Sequence, residues 1–373
     1  MEQKFSLGWR DRVAAGVKAF VTPGPRMVDE LECVASVLLA ILLGHLAGAR
    51  NVSWAAFSGY MVMRGQVTES LRRGLFRVIG TGCGALLALA CVDTVGAGLV
   101  PATLALAAVG GLTLFAALTS KRSYAWLFVG LTFSMILLDQ IDHPAETAGH
   151  FAVTRVVEVV AGTAACVLVS MLSAISLRRR WPAPKNEPPR STGWRPDAAR
   201  HAGQGAFALA LLPLLHLVLP LHQLSQAAVA IMAVMLVPVG GIGASGLRPV
   251  SRRIVMRVAG CAAGASFAAA MLLASQGAAA ALVLGAAIGV MLGRHIENAQ
   301  SNVAYAGTQF VLAVLVTLVP DSYANPDLHA GWERLAGTLL GIAVLLPVLI
   351  AWHVMAPRLR ADGGENRSEL GDI

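Results

Sequence analysis

Twelve apolar runs, most of them close to the length of a bilayer crossing, constrain this chain more than any other feature. They lie near residues 31–49, 52–63, 75–92, 95–119, 124–138 and 151–176, and then near 203–221, 224–243, 254–275, 277–293, 303–319 and 333–356. An upright helix needs ~20 apolar residues to span the hydrocarbon of a bilayer. Runs 52–63 and 124–138 fall short of that and read as half-crossings or as helices that continue into polar flanks. Composition agrees with the runs: 13% of the residues are charged and 56% are hydrophobic, where soluble domains carry about 25% charged residues. The chain therefore reads as an all-α polytopic membrane protein.

The net charge of +8 does not point to nucleic acid, because the arginines end apolar runs instead of lining a polar face among aromatics. Their placement instead sets a topology. With a cytoplasmic N-terminus, 26 of the 29 Lys and Arg residues fall on inner connections, as the positive-inside rule requires. Arg50, Arg155 and Arg334 are the exceptions, and the outer connections carry Asp93, Asp139, Asp142, Glu146, Asp321 and Asp327. Both termini are expected to be cytoplasmic. The expected order is an N-terminal cytoplasmic or interfacial segment (1–26), a first membrane half (27–176), a cytoplasmic linker (177–202), a second half (203–356) and a cytoplasmic tail (357–373). Trp9, Val13, Val17 and Phe20 recur at helical spacing, which predicts a helix lying on the membrane surface. The five cysteines show no paired spacing and read as small apolar core residues.

The two halves repeat. "RRGLFRVIGTGCG" (72–84) and "RRIVMRVAGCAAG" (252–264) align at a shift of 180, with Arg72, Arg73, Arg77, Gly80 and Gly84 on Arg252, Arg253, Arg257, Gly260 and Gly264. "EVVAGT" (158–163) matches "ERLAGT" (333–338), and Tyr124 and Tyr305 open the fifth run of each half. An even number of crossings per half makes the two six-helix repeats parallel, about an axis along the membrane normal.

The pieces "SWAAFSGYMVM", "SLRRGLFRVIGTGCGALLAL", "YAGTQFVLAVLV" and "ERLAGTLLGIAV" resemble, in their order and duplication, the fusaric acid resistance and aromatic acid exporter family. The resemblance covers roughly 28–176 and 203–356. It implies export of small aromatic carboxylates across a bacterial inner membrane, driven by the proton gradient. It also implies a periplasmic adaptor of the membrane fusion type as partner in Gram-negative cells. Plant malate channels look like distant relatives. Long family members carry a large soluble domain between or after the membrane halves, whereas the linker here spans about two dozen residues.

Candidate chemistry divides into groups, each with a structural competitor. Arg72, Arg73, Arg77, Arg252, Arg253 and Arg257 could attract carboxylates from the cytoplasm or simply fix topology. Arg77 and Arg257 lie a turn inside the apolar helix and need a partner or must snorkel. "MVMRGQVT" (61–68), with Arg64, and "VPVGGIGASG" (237–246) interrupt helices, where exposed N–H groups could hold an anion. Glu158 and Glu333 are candidates for proton coupling, competing with plain ion pairs to Arg155 and Arg334. His45 and His216 could relay protons or serve packing. Gln309, with Asn298, Gln300 and Asn302, could hydrogen-bond substrate or join helices. Trp54, Tyr60, Tyr124, Trp126 and Tyr305 could stack on a ring or form an interfacial belt. The glycine pairs read as close-packing positions.

A secondary exporter leads this reading. A passive organic-anion channel or uniporter comes second, followed by a membrane scaffold or assembly partner. No Ser-His-Asp arrangement, metal-spaced cluster or phosphate loop stands in the sequence, so neither an enzyme, a cofactor nor a metal is expected. The expected partners are a small organic anion and membrane lipid. A homo-oligomer and the adaptor stay open.

Overall fold

The computed structural model describes residues 22–95, 98–143, 147–184, 193–219, 223–243, 245–299, 303–323 and 329–368. The surface helix expected on Trp9, Val13, Val17 and Phe20 lies outside these residues. So do linker positions 185–192, Gln300, Asn302, Glu146 and Asp327, and so do the side chains of Asp93, Arg358, Arg360 and Arg367.

Every regular element among the described residues is helical, and twelve helices stand where the apolar runs lie. They are α1 (Pro25–Leu46), α2 (Val52–Val62), α3 (Val67–Val95), α4 (Leu99–Thr119), α5 (Ser123–Asp142), α6 (Ala148–Ile175), α7 (Pro196–Val218), α8 (Leu224–Met235), α9 (Leu247–Ser275), α10 (Ala279–Asn298), α11 (Ala304–Leu318) and α12 (His329–Ser368). One turn, Leu177–Arg180, follows α6, and a 3₁₀ turn, Val239–Gly241, lies between α8 and α9. Eight of the helices are long and apolar enough to cross a membrane. Their outer faces expose Leu86, Leu104, Leu112, Leu172 and Leu273, a load of apolar surface that lipid accepts and water does not.

Local chemistry accounts for several boundaries. Proline opens α1 and α7, at Pro25 and Pro196, where its missing N–H costs nothing and its fixed φ suits the first turn. α7 thus starts seven residues before the 203 boundary expected from hydropathy. α1 ends where Gly48 takes φ +66 and its N–H reaches the His45 carbonyl, an αL stop. The eighth apolar run keeps helical form only to Met235, and its glycine-rich end is a loop. The fifth gains a full 20 residues as α5 by running on to Asp142, while α2 stays at 11 residues.

The chain folds as two compact units. The first comprises residues 1–74, 160–186 and 260–328, and the second 75–159, 187–259 and 329–373. Three of the five boundaries fall inside α3, α6 and α9. In the first unit α1 and α2 pack with α10 and α11 around Val37, Phe57, Val290, Val314 and Leu315. In the second, α7 and α8 pack with α4 and α5, and α12 joins them, around Leu106, Phe133, Leu209, Ile231 and Leu345. Each unit therefore takes a consecutive pair of helices from each half of the chain, and the second adds α12.

The glycines make that packing close. A Cβ on Gly80 or Gly84 would strike the carbonyls of Ala125 or Val129 in α5, within the second unit. A Cβ on Gly260 or Gly264 would strike the carbonyls of Ala306 or Phe310 in α11, within the first. Backbones approach this closely only where no side chain intervenes.

Candidate functional site

The two shortest helices show how charge is used. Eleven residues at ~1.5 Å each make α2 about 17 Å long, roughly half the hydrocarbon thickness. Its end groups therefore need partners within the protein. At the start of α2 the Val52 N–H donates to the Asp321 carboxylate at 3.0 Å, and at the start of α8 the Leu224 N–H donates to Asp142 at 2.9 Å. At the other end Arg73 donates to the Met61 carbonyl at 2.9 Å, and Arg253 to the Ala233 carbonyl at 3.2 Å. Acid at the N-terminus and guanidinium at the C-terminus is the arrangement the helix dipole favours.

This places several expected substrate residues in structural roles. Arg73 and Arg253 cap helices, while Arg72 and Arg252 are exposed. Arg77 is buried, donates to the Tyr124 hydroxyl at 3.1 Å and lies 4.1 Å from the centre of the Phe128 ring. Arg257 is buried as well. Arg64 lines a cavity.

That cavity, of about 570 Å³, lies in the first unit. Four stretches of chain build it: the start of α1 (Pro25, Arg26, Asp29), the α2–α3 link (Arg64, Gly65), the segment after α6 (Arg178, Ala183, Pro184) and the end of α10 (Arg294, Glu297, Asn298). Gly65 is required at this wall, because a Cβ there would stand 2.7 Å from that of Ala183 and 3.2 Å from the Arg178 guanidinium.

The lining is organised by ion pairs. Arg294 grips Asp29 through two bonds of 2.7 and 3.0 Å and lies 3.2 Å from Glu297. Asn298 donates to Asp29 at 2.7 Å, and the Tyr60 hydroxyl donates to Glu297 at 2.5 Å. Arg178 holds Glu32 with two bonds of 2.8 and 2.6 Å, and Ser173 donates to the same carboxylate. Arg26 pairs with Glu30 at 3.1 Å and also donates to the His295 carbonyl, while the His295 ring lies 2.8 Å from Glu30. Buried pairs of this kind survive only with good geometry and further hydrogen bonds, and both are present. Among the lining residues four guanidiniums face two carboxylates; Glu30 and Glu32 sit behind them. Such a wall attracts anions and offers protonatable groups within a few ångströms.

The remaining candidates lie elsewhere. Glu158 is fully buried in the second unit, 3.1 Å from Arg155. Glu333 is half-exposed in the first turns of α12, 3.6 Å from His329. The packing also changes their register: the Ala55 carbonyl of α2 meets Gly162, and the Ala227 carbonyl of α8 meets Gly341, not Gly337. The buried arginines Arg155 and Arg334 therefore occupy matching places, one turn off the alignment of EVVAGT with ERLAGT. His45 and His216 stand in the last turns of α1 and α7; His45 packs 5.8 Å from Tyr323. Gln309 is buried in α11, and its side-chain oxygen has no hydrogen-bond partner among the described residues.

Sequence reasoning missed Asp29, Glu30, Glu32 and Glu297, and read Arg178 and Arg294 only as topology markers. A signal was present. "DELE" (29–32) puts three carboxylates where an apolar run meets a basic connection, and acids at such a place need cations to hold them.

Among known protein families, the model described as the fusaric acid resistance protein family matches residues 31–187. A second, described as fusaric acid resistance protein-like, matches residues 206–348. No curated protein and no solved structure matches the chain. The two family matches fall on the helices that carry the cavity and the capped short helices.

Proposed function

Because the chain belongs to the fusaric acid resistance protein family, and so is a multi-pass membrane protein of the transporter or efflux type, we propose that it exports small organic acids. Aromatic carboxylates are the favoured class, moved across a bacterial inner membrane at the expense of the proton gradient. The arginine-lined cavity of the first unit is the observation that carries this reading. Its volume suits a small-molecule ligand, and in the proposed topology it opens to the cytoplasm, where the exported acid is loaded. A substrate carboxylate arriving there exchanges with Asp29 or Glu32 at a guanidinium, so one charge-assisted pair replaces another. The displaced carboxylate is then free to take a proton. Glu158, the buried one of the carboxylates first singled out, is the second coupling candidate.

Two features favour an internal duplication with twelve crossings and both termini inside. The helix caps and glycine contacts recur at matching positions, and the cavity's basic groups belong to the connections that the charge rule puts in the cytoplasm. A periplasmic adaptor and a homo-oligomer stay within this proposal as partners.

The test uses inverted vesicles under a proton gradient, following uptake of labelled hydroxybenzoate or fusaric acid with and without a protonophore. Uptake above equilibrium that collapses with the protonophore supports coupled export; flux that only equilibrates makes the protein a channel. Arg64→Gln is expected to raise the half-saturating concentration about tenfold, the cost of losing one charge-assisted contact, with expression unchanged.

A further inference from the structure

Among the described residues of the second unit, one histidine is fully enclosed. His201, in the second turn of α7, has no exposed surface. Its Nε2 lies 2.9 Å from the Met235 carbonyl at the end of α8, and its Nδ1 lies 3.2 Å from Gln204 Oε1. The Gln204 amide cannot be turned over freely, because its nitrogen donates to the Ser245 carbonyl at 3.2 Å. Reversing it would set two oxygens against each other there. Both ring nitrogens thus face acceptors, and only the imidazolium carries two N–H donors.

The ring also touches the glycine loop between α8 and α9. A Cβ on Gly246, which takes φ +71, would stand 2.6 Å from His201 Nδ1. The adjacent Arg200 donates to the Gly243 carbonyl at 2.8 Å and to Asp197 at 2.7 Å, and Ser245 Oγ lies 2.9 Å from His353 Nδ1 of α12. Among the described residues the charged or titratable groups bonded around the site are Arg200 and Asp197 on its own helix, and His353 beyond Ser245. The other elements packed on α7 near the ring, α4, α8 and the glycine loop, contain no titratable residue in their sequences.

We infer that His201 is a proton-binding site that fastens the glycine loop: with the proton bound it bridges Met235 and Gln204 and holds Gly243, Ser245 and Gly246 against α7, and without it one bridge is lost and the loop is released. The proton goes on and off Nδ1 or Nε2, and no other bond changes. In the coupled-export reading, on which this role in transport rests, His201 is where the gradient acts on the second unit. The latch itself does not depend on that reading.

The experiment uses the full chain in lipid nanodiscs, with ¹⁵N-histidine NMR for the ring and hydrogen exchange for the amides of residues 239–243 and 245–246, corrected for intrinsic pH dependence. Two protonated ring nitrogens at low pH are expected to give way to one as pH rises. Loop protection is expected to fall about tenfold across the same interval, the loss of one buried hydrogen bond. His201→Gln should abolish the pH dependence of the loop. Should that variant not fold, Gln204→Met keeps the ring, removes one acceptor and should shift the transition to lower pH. A His201 with one proton throughout, or an unchanged transition in the variant that folds, overturns the latch. Inverted-vesicle uptake is run in parallel: no uptake by the wild type with an intact NMR transition defeats the export reading and leaves the latch standing.

Discussion

The carbonyl of Met63 at the end of α2 and that of Met235 at the end of α8 occupy matching places in the two units, yet they receive different donors. Arg294 reaches the first at 3.5 Å while holding Asp29, and His201 reaches the second at 2.9 Å while held by Gln204. The helices beneath them share a pattern. Buried Ala102, Leu106, Gly110, Thr113 and Leu114 of α4 recur 180 positions later as Leu282, Ala286, Val290, Gly293 and Arg294 of α10. At this place one unit carries an arginine–aspartate pair and the other a titratable histidine held by an amide. The two helix ends match in position, and the chemistry placed on them does not. Permanent guanidiniums suit an anion, and a histidine suits a proton.

The sharpest way to break this comparison is to put the same residue at both matching places. Arg294→Met takes from Asp29 the cation that holds it by two bonds, leaving Arg178 at 3.8 Å, and removing one partner of a buried pair costs about 3–5 kcal/mol. Leu114→Met conserves volume and should cost less than about 1.5 kcal/mol. Reversible unfolding in detergent measures both. Adding Asp29→Asn to Arg294→Met should restore part of the loss, because it removes the stranded charge. Equal costs at 294 and 114 would mean that the first unit's charges are screened by solvent and the contrast is superficial.

Valine at the paired glycines should instead erase the contrast. Gly84→Val drives a side chain into the Val129 carbonyl of the second unit, and Gly264→Val drives one into the Phe310 carbonyl of the first. Overpacking of this kind costs about 1–3 kcal/mol. If the scaffold is shared, the two losses agree to within about 0.5 kcal/mol. A loss confined to one of them would show that only one interface is tight.

The features that repeat were the legible ones. Among the described residues each apolar run holds a helix, and eight of these are long and apolar enough to cross a membrane; the duplicated "RR…R..G" string marked the helices whose glycines meet backbone. The single copies stayed hidden. Asp29 and Arg294 are 265 positions apart, and no local pattern announces that α1 packs on α10. Arg155 and Arg334 were counted as exceptions to the charge rule, although the packing makes them the matched buried pair. The EVVAGT–ERLAGT alignment favoured string identity over the contact of Gly341 with the Ala227 carbonyl. His201 was passed over because it precedes the apolar run of α7. Only the fold brings Met235 and Gly246 to it.

The smallest expected effects separate capping from binding among the arginines, which sequence alone could not do. Arg73 and Arg253 each donate to a carbonyl at the end of a short helix, so Arg73→Gln and Arg253→Gln should each cost about 1 kcal/mol, the usual worth of a cap bond plus its dipole interaction. Both should leave half-saturation for the transported acid unchanged. Their neighbours Arg72 and Arg252 are exposed in the same helical turns, and their Gln variants should stay within about 0.5 kcal/mol of the parent. The pairing makes the test internal: residues one position apart, in both units, differ in whether a helix end depends on them. A raised half-saturation in Arg73→Gln or Arg253→Gln would return those residues to the substrate path. It would also move the anion site from the cavity of Arg64 to the ends of α2 and α8.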